Sequence, residues 1–154
     1  MYEKQQILSV NSHRFVKEVC VEGENLSQTL SELHEVLAKE NLPRPQILNS
    51  QKSNTFWEHL ITGPQEYFRS FDEVFKNNQK IKISKNALSS VTATCHGLAS
   101  SDFPQLISQR VEARGISIHK MLVGALSVTL IIGSEHCDAA IQKIHDLISN
   151  PVSE

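Results

Sequence analysis

The stretch NALSSVTATCHGLASSDFPQLISQRVEARGISIHKMLVGALSVTLIIGSEHCDAAIQKIHDLIS, residues 86–149, decides the fold. Ala87–Cys95 alternates apolar and polar residues, as a half-buried strand does, and breaks at His96–Gly97. From about Phe103 to Arg114 the apolar residues recur at helical spacing. Two apolar runs follow, Ile116–Val123 and Leu126–Ile132, hinged at Gly124; Asp138–Ile148 then returns to helical spacing. The order is strand, helix, strand, strand, helix in roughly 65 residues, enough for a small compact unit.

A sheet built from these elements with both helices on one face follows the ferredoxin-like βαββαβ plan, which needs one strand more. Upstream the same order occurs a first time. Ile7–Val10 is a short strand candidate ended by the turn-formers Asn11–Ser12, and Phe15, Val16, Val19, Cys20 and Val21 mark a second strand ending at Glu22–Gly23. Asn25 is a good N-cap for a helix whose apolar stripe is Leu26, Leu30, Leu33 and Leu37, stopped by Pro43 and Pro45. Gln46–Ser50 and Thr55–Ile61 form a strand pair about a polar turn, Gln51–Asn54. After Gly63–Pro64 a second helix buries Tyr67, Phe68, Phe71, Val74 and Phe75; Trp57 is also assigned to the core. Lys80–Ser84 is a last short strand.

The two halves align by eye. Cys20–Gly23 and Cys95–Gly97 each end a first strand, and EVLAKENL (35–42) and QRVEARGI (109–116) each end a helix. An offset of about 75 residues marks a two-copy duplication. The chain reads as an α+β protein of two ferredoxin-like units, residues 13–79 and 80–150, with antiparallel sheets and helices on one face. Ile7–Val10 and Lys80–Ser84 are the candidates for the missing strands.

Composition excludes several function classes. The 154 residues are 40% hydrophobic and 21% charged, an ordinary globular balance. A formal net charge of −2 offers no clustered basic footprint for nucleic acid, and the strands lack the aromatic and basic display of RNA-binding sheets. The longest apolar run, Met121–Ile132, is about half of what a membrane helix needs, and MYEKQQ has no signal-peptide core. Three widely spaced cysteines form no disulfide framework, which points to a reducing, cytoplasmic setting. Seven histidines show no metal-ligand spacing, so no metal or other cofactor is expected. His34 and His145 read as surface or boundary residues, and Cys20 and Cys95 as small core residues. No nucleophile–base pair is identifiable, so no catalytic residue is assigned.

The second half, LSSVTATC through KIHDLI (88–148), resembles an ACT domain, and more narrowly the C-terminal ACT region of aspartate kinase. EARGISIHKM (112–121) is similar to that family's helix end and following strand, and HCDAAIQKIHDLI (136–148) to its closing helix. ILSVNSHRFVKEVCVEG (7–23) is similar to the lead-in and first strands of the regulatory half. The resemblance covers about residues 6–149. It implies tandem ACT units interlocked by strand exchange, with the strand at 6–11 completing the sheet of the second unit. It also implies an amino-acid effector, lysine or threonine, a catalytic domain of aspartate kinase as partner, and a homodimer through ACT sheets and their edge strands. No Gly-rich phosphate loop is present, so catalysis is not expected of this chain itself.

An α-amino acid needs backbone N–H groups or a helix N-terminus for its carboxylate and oxygens for its ammonium. The turn Glu22, Gly23 and Asn25 leads into a helix and could offer both. By resemblance Asn49 and Ser50 lie near the family's polar pair at the end of the second strand, and Ser117 and Ile118 take the corresponding place in the second unit. The bland alternatives are an N-cap for Asn25, a polar strand end for Asn49–Ser50 and a strand filler for Ser117. The family's Asp-x-Pro-Gly turn is replaced by Glu24-Asn-Leu-Ser27 and Ser101-Asp-Phe-Pro104. Three functions stay open: the regulatory region of an aspartate kinase, a free-standing tandem ACT protein acting through a partner, and an oligomerisation module whose ligand site has decayed.

Overall fold

The computed structural model describes residues 7–95 and 102–149. The break at His96–Gly97 therefore lies outside the described residues. The chain divides into two compact units, Phe15–Ala87 and a second made of Met1–Arg14 with Leu88–Glu154. Strand β1 (Ile7–Glu22) is continuous and contributes to both. Asn11–Ser12 thus lies within a strand and forms no turn. Consecutive residues of a strand point to opposite faces, and both of these are exposed, so neither face of β1 is covered at this point.

Phe15–Ala87 contains the second half of β1, α1 (Leu26–Lys39), β2 (Gln46–Ser53), β3 (Phe56–Thr62), α2 (Gln65–Arg69), α3 (Phe71–Phe75) and β4 (Ile81–Ile83). Its sheet has the order β2–β3–β1–β4, with every pairing antiparallel, the strand order of the ferredoxin-like plan. Val19 and Val21 of β1 sit opposite Ile83 and Ile81 of β4, and with Ile61 they form the floor on which the helices pack. Leu33, Leu37, Phe71 and Phe75 fill the core from above.

Helix α1 is turned relative to the stripe read from its leucines. Thr29, Leu33 and Leu37 are buried, at i, i+4 and i+8, while Leu26 is 38% exposed. The helix ends in a Schellman motif before Pro43 is reached. Asn41 has φ 58, its N–H reaches the Ala38 carbonyl at 3.0 Å, and the Leu42 N–H reaches Leu37 at 2.9 Å. Asn tolerates the left-handed conformation, so the stop is local chemistry, and the prolines only keep it closed. The single aromatic helix is divided in two at Ser70. The i, i+4 spacing survives the break, and Phe71 lies 4.8 Å from Tyr67 and 5.4 Å from Phe75, ring centre to ring centre. Trp57 is half-buried outside the core cluster, its indole N–H on the Glu24 carbonyl at 3.3 Å.

The other unit takes residues 7–14 of β1 and adds β5 (Leu88–Cys95), α4 (Phe103–Glu112), β6 (Ile118–Val123), β7 (Ser127–Gly133) and α5 (Cys137–Ser149). Its sheet order is β1–β5–β7–β6, with β5–β7 and β6–β7 antiparallel. Alternation supplies Val91, Ala93 and Cys95 from β5 and Val128, Leu130 and Ile132 from β7 to one face. Helical spacing supplies Phe103, Ile107 and Val111 from α4, and Cys137, Ala140 and Ile144 from α5. Val10 packs against this core. The missing strands are thereby allotted: Ile81–Ile83 completes the sheet of Phe15–Ala87, and residues 7–14 complete the sheet of Leu88–Glu154. Among the described residues no helix is long and apolar enough to cross a membrane.

Candidate functional site

In the Phe15–Ala87 unit, a polar lane runs from the β1–α1 turn to strand β2 through the buried Thr29 and His59. It begins at Gly23, whose N–H bonds the Thr55 carbonyl at 3.0 Å. A Cβ at Gly23 would come within 2.8 Å of the Thr29 methyl, so the turn closes against α1 only with glycine there. Asn25 caps α1, accepting the Gln28 N–H at 2.8 Å. One turn into the helix the Thr29 hydroxyl donates to the Leu26 carbonyl at 2.9 Å and lies 3.1 Å from Nε2 of His59. His59 is fully buried, and its Nδ1 is 2.7 Å from the Ser50 hydroxyl.

These contacts settle the tautomer. Thr29 has one hydroxyl hydrogen and spends it on Leu26, so it accepts from His59 Nε2–H. Nδ1 is then bare and accepts from Ser50. The imidazole is held neutral, its pKa lowered first by burial and then by the nearby His34. His34 is itself pushed down by burial and by Arg44. Although Ser50 and His59 are a serine–histidine pair, the second ring nitrogen meets a threonine where a nucleophile–base pair has a carboxylate, and His59 is closed to solvent. The lane is chemistry of cohesion.

The lane links three residues named from sequence, Gly23, Asn25 and Ser50, through two that were not, Thr29 and His59. The signal for them was the hairpin. Asn54 has φ 53, and Ser53 pairs with Phe56, so the connection is the two residues Asn54–Thr55. That register sets Ser50 opposite His59, whereas a turn at Gln51–Asn54 does not. Asn49 pairs with Leu60 and points to the opposite face from Ser50. Glu22 is exposed at the end of β1. Ser117 and Ile118 belong to the other unit, Ser117 exposed and Ile118 half-buried against its core. Among the described residues no group of three His, Cys, Asp or Glu could hold a metal ion.

No protein-family model matches the chain, and no curated protein matches it. Solved structures do. The ligand-free regulatory subunit of aspartate kinase from Thermus thermophilus superposes with a TM-score of 0.64 at 15% identity, covering 91% of this chain and 97% of that one. Aspartate kinase from Clostridium acetobutylicum gives a TM-score of 0.66 at 12% identity, over 94% of this chain and 35% of that one. Escherichia coli aspartokinase III in complex with lysine and aspartate gives 0.62 at 12% identity, over 96% and 34%. The fold is thus an α+β fold shared with proteins of allosteric control. More narrowly, it is that of the regulatory region of aspartate kinase. At these identities the likeness is one of fold, and the chain spans about a third of the full-length kinases.

Proposed function

We propose that this chain is an amino-acid-sensing regulatory module of the aspartate kinase type, catalysing nothing itself and biasing a catalytic domain by population shift in the cytoplasm. The observation that carries the reading is a fold match that runs nearly end to end against a regulatory subunit, 91% of this chain and 97% of that one. The effector is an α-amino acid, lysine or threonine first. Its contacts are sought at Glu22, Gly23, Asn25, Asn49 and Ser50, and at Ser117 and Ile118. The partner is an aspartate kinase catalytic domain, in the same full-length chain or separate. The working form is a homodimer built on the edge strands, where Met121 and Val123 of β6 are 39% and 57% exposed.

One observation favours the structural reading over the sensing one. Asn25 and Ser50 are already satisfied within the fold, by Gln28 and His59. Thermal unfolding with and without each free amino acid separates the two. At about 100 times its dissociation constant an effector adds about 2.7 kcal/mol, which is roughly 5–10 °C for a chain of this size. A selective shift of that order is expected for one or two amino acids. A flat panel on a confirmed dimer would leave oligomerisation as the function.

A further inference from the structure

The sheet of Phe15–Ala87 has a second face, turned away from its helices, and that face carries a cavity. Residues directly opposite in an antiparallel pair share a face. Glu22 stands across from Phe56, and Cys20 across from Lys82, on the side opposite Val19 and Val21. Together with Thr55 and Gln79 they line an open cavity of about 390 Å³, within the roughly 300–1,000 Å³ range of small-ligand sites. Lys80 also borders it, but its ammonium is turned to Glu32 at 3.8 Å.

Glu22 and Lys82 differ from Lys80. Among the described residues neither makes an ion pair or a side-chain hydrogen bond, and they do not pair with each other. Strand geometry explains this: Glu22 is level with Lys80, and Lys82 is level with Cys20, so the two charges stand on a diagonal. One cavity wall therefore presents a carboxylate and an ammonium held apart, with the half-buried ring of Phe56 beside them. A ligand with a single charge satisfies one and is repelled by the other. A zwitterion satisfies both.

We propose that this cavity takes a free α-amino acid, its ammonium on Glu22 and its carboxylate on Lys82, with the side chain against Phe56. The assignment rests on the amino-acid reading above and gives the effector a place on the face opposite Ser50. Both charged partners are exposed, so binding is salt-sensitive.

The test uses the full chain. Wild type is titrated calorimetrically with each L-amino acid at low salt, and the responding one again as its N-acetyl and its amide derivatives. Glu22→Gln and Lys82→Met are then titrated with the same amino acid, and the ligand-free Tm of each is recorded. Exposed substitutions of this kind are expected to leave that Tm near the wild-type value. The expected result is loss of binding by both derivatives and a Kd raised roughly tenfold or more in both variants. An unchanged Kd in either variant overturns the cavity assignment and leaves the sensor reading standing. No response of wild type to any amino acid removes the sensor reading, and this assignment with it.

Discussion

His59 is the residue on which acid sensitivity turns. Burial holds its imidazole below the usual value of 6.5, and burial does the same to His34. The sign follows from linkage. A histidine that resists protonation when folded contributes stability that is complete above about pH 6.5, because neither state is then charged. As pH falls through 6.5 the unfolded chain takes the proton and the folded chain lags, so stability is lost. Urea midpoints should fall between about pH 7.5 and 5.5, by less in His59→Leu once its lower starting stability is subtracted. Thr29→Val leaves Nε2–H without an acceptor inside the core, for an expected loss of about 1–3 kcal/mol by equilibrium unfolding. Gly23→Ala drives its Cβ onto the Thr29 methyl and should cost a similar amount, about 1–3 kcal/mol. At the alkaline end Tyr67, donating to the Pro43 carbonyl at 2.6 Å, is raised by burial to about 12. Its contribution is complete below pH 10 and lost from there towards 12, a limb that Tyr67→Phe should abolish.

At the scale of elements, α1 separates what propensity specifies from what packing specifies. Its start and length were legible from Asn25 and the leucine run. Its rotation was not, because Leu26, Leu30, Leu33 and Leu37 make as regular a stripe as Thr29, Leu33 and Leu37. A threonine wins a core position because the fold supplies both a histidine to bond it and a glycine to admit it. Leu33→Ala should then cost about 2–5 kcal/mol, while Leu26→Ser should change stability by no more than about 0.5 kcal/mol. Equilibrium denaturation of the two variants checks the rotation directly. The hairpin makes the same point. Four polar residues in a row read as a polar turn, yet strand pairing recruits Gln51–Ser53 and leaves Asn54 and Thr55 to reverse the chain.

For the whole molecule, the division of labour within β1 carries a consequence. Phe15–Ala87 holds all four strands of its own sheet, whereas Leu88–Glu154 lacks the strand that residues 7–14 contribute. A fragment of residues 15–87 should fold alone, with dispersed amide resonances in a proton–nitrogen spectrum. A fragment of residues 88–154 should stay poorly dispersed, because the core of its unit loses Val10 and β5 loses its neighbour. A peptide of residues 7–14 added in excess should recover part of the dispersion.

The α+β class and the order strand, helix, strand, strand, helix in each half followed from the sequence by itself, because apolar periodicity is local and survives without knowledge of neighbours. Strand ownership, the rotation of α1 and the pairing of Ser50 with His59 were decided only in the tertiary structure. Each depends on register or on a partner distant in the chain: residues 7–14 join a sheet that begins at Leu88, and Thr29 meets His59 across 30 residues. The diagonal of Glu22 and Lys82 is of the same kind, two surface charges in sequence and one wall of a cavity once β4 pairs with β1.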